Sequence, residues 1–534
     1  MGYIELPLQA LIIAQFSFAW LDVSSVRSGW TPNKFNFHAF HDMKILHYIT
    51  HLYHQNIRNI LYIRGSFNSA KMRDRCHVLL VIFPGQGQIN PCLQFAKRLV
   101  NLGVKVTLST TLYVINRISN HPEIPGIDFA PFSDGYDDGY YKLTPDAYGD
   151  AYNSLKTRGS EYVATLVKAK AADGAPFTGI IYTTLMPWVG EVARSLEVPD
   201  TLLWIQPATV LDIYYCYFTD CQDLFKSCGE NGVVQIPGLP ALGPTDFPSY
   251  MFSKTATNNV LDWAIQSMKD QIDLINSEEN PKILVNTFDD LEVDALRAIK
   301  KMTLIGIGPL VPSAYLDGKD PSDTSFGGDL REKSDDYIEW LDSQPKGSVI
   351  YVAFGSYSDL PSTMVDQIAE ALVESKMPFL WVLRETANGE KPEGKLRCKE
   401  ELEKQGKIVR WCGQVEVLQH PSIGCFLTHC GWNSTIESLV FGMPVVACPL
   451  WSDQCCNAKL VQDVWKTGAR VKANEDGIVE ASELKRCIEF VMGEEGAELR
   501  KNAEKWRDLA RSSMKECGSS YLNLKAYVHE VLLN

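Results

Sequence analysis

The sequence predicts an α/β protein built from two doubly wound parallel sheets that face each other across a cleft. Short apolar runs of strand length alternate with helical stretches. This pattern occurs twice, on either side of a polar stretch at residues 311–336 that is rich in Gly, Pro and Ser. Such alternation favours parallel sheets covered by helices. With 534 residues, 45% of them hydrophobic, the chain is long enough for two cores.

Both halves contain several predicted strands. Those of the first half are His77–Phe83, Val104–Thr110, Thr178–Thr184, Asp200–Gln206 and Lys282–Phe288. Those of the second half are Ser348–Phe354, Pro378–Leu383, Lys407–Trp411, Ile423–His429 and Pro444–Pro449. Ligands of open α/β sheets bind beyond the carboxyl ends of the strands. Two facing halves therefore predict one ligand-binding wall on each side of the cleft.

Charge and cysteine content exclude several classes of protein. The net charge of −14, from 51 basic and 65 acidic residues without a long basic run, argues against a nucleic-acid or anionic-membrane partner. The 14 cysteines lack a disulfide-like or CxxC pattern, which favours a reduced compartment, and we expect the cytoplasm. The absence of a long uncharged apolar stretch near the C-terminus predicts no membrane anchor.

The segment from Trp411 to Gln454 carries groups suited to a nucleotide-sugar. Trp411 ends a predicted strand and can stack on a planar base, and Gln414 can pair with the edge of a uracil-like ring. Farther on, a strand–glycine–helix turn aims backbone N–H groups and the positive helix end at one point, which suits a diphosphate. Polar side chains at this turn and after the next strand are His429, Asn433, Ser434, Glu437, Asp453 and Gln454.

Each of these features also has an ordinary structural explanation. Ser434 and Glu437 form a capping box that many helices use without a ligand. A single Trp411 at a strand end is usually a packing residue, and a lone His429 is more often a hydrogen-bonded core histidine. Their combination at this spacing is what indicates a ligand site.

The segment WCGQVEVLQHPSIGCFLTHCGWNSTIESLVFGMPVVACPLWSDQ resembles the plant secondary-product glycosyltransferase box. The similarity to plant UDP-glycosyltransferases, glycosyltransferase family 1, extends over residues 77–534. The first half is most similar to the group of anthocyanin 5-O-glucosyltransferases, crocetin glucosyltransferases and auxin glucose-ester enzymes. The resemblance implies the GT-B fold, which is two facing Rossmann-like domains with an interdomain cleft. It also implies an inverting UDP-glucose-dependent glucosyltransferase, a hexosyltransferase.

The resemblance implies roles for individual residues. Trp411 would stack on uracil, Cys412 and Gln414 would meet its edge, and Glu437 would hold the ribose. His429, Asn433 and Ser434 would bind the phosphates. Asp453 and Gln454 would hold the sugar, and a terminal glutamine such as Gln454 is associated with glucose over galactose. Gly413 stands where the family often has proline or serine. The expected donor-binding residues are Trp411, Cys412, Gln414, His429, Trp432, Asn433, Ser434, Glu437, Asp453, Gln454, Ser356 and Ser358.

Domain limits follow from the pattern and the resemblance together. We expect an acceptor-binding domain at 72–310, a linker at 311–336, a donor-binding domain at 337–505 and a C-terminal helical segment at 506–534. Residues 1–71 hold five of the ten histidines and lack domain-scale periodicity. We interpret them as an atypical extension, either disordered or a gene-model artefact, with Met72 as the natural start.

The turn FPGQGQINP (Phe83–Pro91) departs from the family pattern. The resemblance places the usual general-base histidine at position 88 and its aspartate partner at position 183, but this chain has Gln88 and Thr183. A glutamine amide has no useful basicity near neutral pH. His77 lies at the opposite end of the first strand, roughly 20 Å from the cleft at ~3.3 Å per residue. We therefore predict no replacement base.

A missing base favours an acidic acceptor. A carboxylate with a pKa near ~4 is already ionised, whereas an alcohol must lose its proton, and loss of a base then costs ~10²–10⁴-fold in rate. We expect transfer to a small hydrophobic carboxylic acid or acidic phenol, such as a flavonoid, an anthocyanidin, crocetin or an auxin-like acid. The Gly355–Ser358 turn would assist at the phosphates. The acceptor pocket is expected to include Tyr136–Tyr141, Trp188 and Asp212–Phe218. We expect a monomer with UDP-glucose as co-substrate, without a metal or other cofactor.

Two alternatives remain at the level of sequence. One is a catalytically impaired family member that binds UDP-sugar or small molecules, which only Gln88 and Thr183 support. The other is a dinucleotide oxidoreductase, because Gly85 and Gly87 follow a strand and open a helix. Against it, the third position is Asn90 and the second strand ends without an acidic residue for ribose.

Overall fold

The computed structural model describes most of the chain after residue 75. The described residues are 76–118, 126–140, 143, 147–219, 223–226, 232–251, 262–328, 330–331, 333–334, 336–356, 360–385, 396–475 and 477–533. All of them belong to one compact unit, Asn68–Asn534. The predictions for the extension at 1–71, for Tyr141 and for Ser358 lie outside the described residues.

The first sheet contains seven parallel strands in the order β3-β2-β1-β4-β5-β6-β7. They are β1 (His77–Val81), β2 (Lys105–Ser109), β3 (Ile127–Phe129), β4 (Gly179–Thr183), β5 (Asp200–Trp204), β6 (Lys282–Val285) and β7 (Thr303–Gly306). Chain order reverses between β1 and β4, so the sheet is doubly wound. In β1, Leu79 and Val81 pack into one apolar cluster while Val78 and Leu80 pack into another. Both faces of this sheet are therefore covered, as expected for parallel strands.

The second sheet contains six parallel strands in the order β10-β9-β8-β11-β12-β13. They are β8 (Val349–Ala353), β9 (Phe379–Val382), β10 (Lys407–Val409), β11 (Ile423–Thr428), β12 (Val445–Ala447) and β13 (Gly468–Arg470). Its chain order reverses between β8 and β11, as in the first sheet. In β8, Ile350 and Val352 face one apolar cluster and Tyr351 faces the other. The prediction of two doubly wound parallel sheets is confirmed.

Helices connect the strands and cover both sheets. Those of the first half are α1 (Gln86–Asn101), α2 (Leu112–Ile118), α3 (Tyr148–Ala172), α4 (Pro187–Ser195), α5 (Ala208–Phe218), α6 (Asp223–Lys226) and α7 (Asp262–Asn276). Those that follow are α8 (Tyr337–Asp342), α9 (Ser362–Ser375), α10 (Lys399–Gln405), α11 (Gln414–Leu418), α12 (Trp432–Phe441), α13 (Gln454–Lys459), α14 (Ala481–Met492), α15 (Ala497–Met514) and α16 (Ser519–Tyr527). No helix among the described residues has both the length and the apolar composition needed to cross a bilayer.

The stretch expected to be a linker lies against the first half over most of its length. The Lys97 ammonium pairs with Asp323 at 2.5 Å. The amide of Gln86 donates to the carbonyl of Gly328 at 2.6 Å and accepts from the N–H of Leu330 at 2.8 Å. These bonds hold the stretch on α1, the helix whose first turn also contains Gln88.

The C-terminal end of the chain returns from the second half to the first. The expected domain limit at 505 falls inside α15, which runs to Met514. After α15, the side chains of Leu524 and Tyr527 are buried in the cluster that includes Val78 and Leu80. The hydroxyl of Tyr527 contacts Thr201 Oγ1 at 3.0 Å. The first half is thus completed by residues from the far end of the sequence.

Candidate active site

A cleft of about 310 Å³ opens where the carboxyl ends of the two sheets meet, which is within the usual size range of ligand pockets. Its first wall comes from the turn after β1 and from the ends of β4 and β5. Its second wall comes from the turns after β8, β10, β11 and β12. The lining residues used below are Gln86, Gly87, Gln88, Thr184, Leu185, Gln206, Met268, Lys333, Tyr351, Gly355, Ser356, Trp411, Cys412, Gln414, His429, Gly431, Trp432, Asn433, Ser434, Glu437, Trp451, Ser452, Asp453 and Gln454.

Trp411 lies at one end of the second wall, just after β10. Its backbone N–H and carbonyl both hydrogen-bond to Ser334, at 3.4 and 2.9 Å. The guanidinium of Arg331 lies over the indole, 5.9 Å from the ring centroid. One ring face thus contacts a cation, and the position of the ring is fixed through its backbone. This is the arrangement of a residue that can stack on a flat base.

Gln414 is hydrogen-bonded to other cleft residues. Its Nε2 donates to Ser434 Oγ at 2.9 Å and to Glu437 Oε2 at 2.7 Å. Its Oε1 accepts from the hydroxyl of Tyr351 at 3.3 Å. The buried Tyr351 hydroxyl also contacts Cys412 Sγ at 3.5 Å. The network orients the carboxylate of Glu437, whereas the sequence prediction gave Gln414 only a direct contact with the base.

His429 directly follows β11 and is packed against two glycines. A Cβ added at Gly355 would lie 2.6 Å from Nε2 of His429, and one added at Gly431 would lie 2.5 Å from the same atom. Both distances are shorter than Cβ contacts found in proteins, so a side chain at either position would force the His429 ring to move. Burial, together with the nearby charge of Arg384, lowers the pKa of His429 to about 4. The ring is therefore neutral at neutral pH and offers a hydrogen bond rather than a charge.

Helix α12 begins at the centre of the cleft. Gly431 precedes it with extended backbone, so the first N–H groups of the helix face the cleft. The Asn433 amide donates to the carbonyl of Gly87 at 2.7 Å, across to the first wall. The indole of Trp432, predicted to bind the donor, is 4% exposed and donates to the carbonyl of Asn286 at 2.8 Å. This hydrogen bond joins the two halves, so the backbone of Trp432, and not its indole N–H, is the part available to a ligand in the cleft.

Asp453 ends the tight loop between β12 and α13, and Gln454 is the first residue of α13. Gln454 Oε1 accepts from the N–H groups of Leu450 and Trp451, at 2.9 and 3.0 Å. Asp453 Oδ2 accepts from the Asn457 amide at 2.6 Å, and burial raises the pKa of Asp453. Because the oxygen of Gln454 holds the loop together, its NH₂ group is the part available to a ligand.

The turn after β8 adds one more predicted residue to the cleft. Ser356 lines the cleft, and its carbonyl accepts from Arg384 at 3.0 Å. Gly355, just before it, has a φ of +76°. The predicted donor-site residues that the structure describes thus all line the same wall, from Trp411 to Gln454.

The first wall contains Gln88, in the first turn of α1. Its Oε1 is buried and has no hydrogen-bond partner among the described residues. Thr183 is fully buried at the end of β4, and its hydroxyl accepts from the N–H of Phe83 at 3.1 Å. Thr183 is not among the residues that line the cleft, although its neighbour Thr184 is. The two positions expected to form a catalytic pair are therefore not joined in this structure.

No described histidine other than His429 lines the cleft. His77 lies at the start of β1, where its Nε2 contacts Thr107 Oγ1 at 2.8 Å. Burial is the main cause that lowers its pKa to about 4. His420 pairs with Asp342 at 3.1 Å, outside the lining. Nor do the described residues contain a cluster of three or more metal-ligating side chains.

Several lining residues were not identified from the sequence. Gln206 follows β5, and its buried Oε1 also has no partner among the described residues. The rule that ligands bind beyond strand ends could have indicated it, because the predicted strand ended there. Leu185 and Met268 line the same wall. Trp188 and Asp212, which were expected in the acceptor pocket, are instead buried in the core and do not line the cleft.

Comparison with known proteins identifies the family. A family profile described as UDP-glucoronosyl and UDP-glucosyl transferase matches residues 325–505. UDP-glycosyltransferase 75C1 of Solanum lycopersicum is 52% identical over 466 residues, which is 85% of this chain and 98% of that protein. Crocetin glucosyltransferase, chloroplastic, of Gardenia jasminoides is 52% identical over 462 residues, with 85% and 97% covered. Phloretin 4'-O-glucosyltransferase of Malus domestica is 51% identical over 473 residues, with 85% and 97% covered.

Solved structures match over the same extent. Os79 from O. sativa in complex with UDP superposes with a TM-score of 0.74 at 34% identity, covering 85% of this chain and 100% of that one. Phytolacca americana UGT2 complexed with UDP-2fluoro-glucose and pterostilbene gives a TM-score of 0.69 at 26% identity, with 85% and 99% covered. The two facing sheets, the cleft between them and these relatives together show that the chain belongs to the plant UDP-glycosyltransferases of glycosyltransferase family 1 and has their GT-B fold.

Proposed function

We propose that this enzyme transfers glucose from UDP-glucose, with inversion, to a small hydrophobic metabolite whose accepting oxygen is acidic. The observation that carries the acceptor class is Gln88, an amide on the first wall where the resemblance places a general-base histidine. The names of the relatives support a glucosyltransferase, since they include a crocetin and a phloretin glucosyltransferase. The related rice structure, Os79, is a complex with UDP.

The donor would lie along the second wall. Trp411 would stack on the uracil, and Glu437, oriented by Gln414, would accept from ribose hydroxyls. The start of α12, His429, Asn433, Ser434 and the turn that contains Ser356 would bind the diphosphate. Asp453 and the NH₂ group of Gln454 would hold the glucose. Neutral His429 would donate a hydrogen bond to the phosphate without a preformed charge.

Transfer then requires little from the first wall beyond positioning. The acceptor oxygen bonds to the anomeric carbon while the bond from that carbon to the phosphate oxygen breaks, and its electron pair leaves with UDP. A carboxylate brings no proton, and an acidic phenol loses its proton to water at modest cost. Gln88 and Gln206 would orient the acceptor through hydrogen bonds to their amides. Neither amide can remove a proton.

The assay that tests this proposal compares the full chain with its Gln88→His variant. Both receive UDP-glucose with a carboxylic acid, a phenol and an aliphatic alcohol on the same ring scaffold, and products are followed by mass. The assay contains EDTA, because we propose that no metal or further cofactor is needed. We expect the natural protein to glucosylate the acid well, and the histidine to raise the rates with phenol and alcohol by up to ~10²–10⁴-fold.

A different result would favour an impaired enzyme. If the natural protein binds UDP-glucose but makes no product, and histidine restores transfer to all three acceptors, then Gln88 marks lost activity. Sedimentation of the purified chain tests our further proposal of a monomer. Fractionation of source tissue tests the proposed cytoplasmic location against the chloroplast, which the name of the Gardenia relative indicates.

A further inference from the structure

A segment of the first half, residues 243–251, lies directly against the loop that bears Asp453 and Gln454. Ser249 and Ser452 exchange two hydrogen bonds. The N–H of Ser249 donates to the carbonyl of Ser452 at 2.9 Å, and the N–H of Ser452 donates to Ser249 Oγ at 2.7 Å. The residue next to the proposed sugar-binding pair is therefore held by the opposite half of the molecule.

Ser452 is a place where the loop needs such support. Its φ is +62°, a left-handed backbone that residues with a Cβ adopt at a cost. The residue as a whole is only 8% exposed, so its backbone groups need partners within the protein. The two bonds from Ser249 provide a partner for the N–H and the carbonyl at this strained position.

The bonds reach the sugar-binding groups through the loop itself. Gln454 Oε1 accepts from Leu450 and Trp451, the two residues just before Ser452. The backbone of Ser452 thus sets where the loop turns and where the Gln454 amide is directed. A change at Ser249 is transmitted to that amide without contact between Ser249 and the ligand.

The same segment holds the other end of α13. Asp246 pairs with Arg470 on β13 at 2.6 Å and with Lys459 at 3.6 Å. Lys459 is the last residue of α13, and Gln454 is the first. The carbonyl of Thr245 also accepts from Arg470 at 2.8 Å. Segment 243–251 therefore contacts α13 near both ends.

We infer that Ser249 is a positioning residue for the donor sugar and that sugar selectivity depends on this contact between the halves. The inference rests on the proposed function, in which Asp453 and Gln454 hold the glucose. A hydroxyl group in the acceptor-binding half would then contribute to discrimination between glucose and its C4 epimer. Uracil, ribose and diphosphate contact other parts of the second wall and are not affected.

The test uses the full chain with Ser249→Ala, which removes the acceptor of the Ser452 N–H and leaves the backbone bond in place. We expect the preference for UDP-glucose over UDP-galactose in kcat/KM to fall by about fivefold, as for one lost hydrogen bond. The Kd of UDP alone should not change. Ser249→Thr, which keeps the hydroxyl, should restore the preference. The matched control is Ser195→Ala, an exposed serine of the first half whose hydroxyl donates to the carbonyl of Val192 in its own helix.

Two outcomes would overturn the inference. If Ser249→Ala weakens the binding of UDP as much as the binding of UDP-glucose, the contact stabilises the packing of the two halves and does not position the sugar-binding groups. If Ser249→Ala leaves the sugar preference unchanged while Gln454→Ala alters it, the sugar site stands and the positioning role is wrong. If Gln454→Ala itself has no effect on either donor, the proposed sugar site fails first, which is a distinguishable result.

A second variant protects against a folding defect. Asp246→Asn keeps the size of the side chain but breaks the ion pairs with Arg470 and Lys459 at the far end of α13. It should lower the same glucose preference, by less than Ser249→Ala, with UDP affinity again unchanged. An increased preference in this variant would contradict the inference.

Discussion

The ring of His429 is held closely between two glycines in the cleft. Its Nε2 would lie 2.6 Å from a Cβ added at Gly355 and 2.5 Å from one added at Gly431. Gly355 also has a left-handed φ, so a substitution there combines strain with a clash. Gly431 has a φ of −58°, which any residue can adopt. A change at Gly431 therefore tests the position of His429 without backbone strain.

We predict that Gly431→Ala weakens UDP binding by about tenfold or more, because the new methyl group must displace His429 from the phosphate site. Isothermal calorimetry with UDP measures the effect. Gly149→Ala in α3 is the matched control, since its Cβ would have no atom within 4 Å and Gly149 does not line the cleft. Equal effects of the two substitutions would show that His429 is not held by Gly431.

Under the proposed function, Gln88 limits which acceptors this enzyme can glucosylate, because an amide is not a base near neutral pH. A histidine at position 88 would offer a basic ring nitrogen that can take up a proton. The amide of Gln88 cannot do so. Thr183 cannot compensate, because its hydroxyl is bonded to the backbone of Phe83. Acceptor acidity is thus the variable that should separate good from poor substrates.

At the scale of one element, α5 contains the buried acid Asp212 and packs against a second buried acid, Glu292. Glu292 satisfies its start by accepting from the N–H groups of Ala208 and Thr209, both at 3.0 Å. One turn further on, Asp212 is fully buried, and neither of its carboxyl oxygens has a partner among the described residues. Burial, and then the nearby charge of Glu292, raise the pKa of Asp212 well above its usual range.

We predict that Asp212→Asn stabilises the protein, increasingly so as the pH rises. The folded state binds the Asp212 proton more tightly than the unfolded state, so the free energy of unfolding falls as the pH rises from the unfolded pKa near ~3.9 towards the raised folded value. The gain at neutral pH should be ~1–3 kcal/mol. Urea unfolding between pH 4.5 and 7.5 measures it. A gain that is the same at every pH, or a loss of stability at neutral pH, would contradict this prediction.

The elements themselves were largely predictable, because their signals are local. The apolar runs of β1, β8 and β11 were identified to within two residues of the observed ends. β3, β7 and β13 were missed; they have only 3, 4 and 3 residues, too few to show a period. Their pairing with neighbouring strands, and not their own sequence, makes them strands.

The site was predictable only where one stretch of sequence forms it. The second wall comes almost entirely from residues 411–454, so its members could be recognised together. The hydrogen bond of Trp432 to Asn286 and the bonds of Ser249 to Ser452 join residues more than a hundred positions apart. Such contacts follow from how the halves pack, and no local pattern indicates them.

At the scale of the whole molecule, the C-terminal helix belongs to the core of the first half. Tyr527 is 2% exposed, and its hydroxyl contacts Thr201 on β5. We predict that Tyr527→Ala lowers the free energy of unfolding by ~3–5 kcal/mol, whereas Tyr527→Phe costs only ~1 kcal/mol. Chemical denaturation measures both. Near-equal values would mean that the hydroxyl, and not the ring, holds the helix in place.

The docked linker has a mechanical consequence. Leu330 is bonded to α1 of the first half, and Ser334 is bonded to Trp411 of the second. The chain therefore passes between the halves over four peptide steps, a tether that spans at most about 14 Å when fully extended. So short a connection allows the two halves to rotate relative to each other but not to move far apart. Because this connection ends at Trp411, an opening motion would pivot beside the proposed uracil site, so the far side of the cleft would open more widely than the side that contains Trp411.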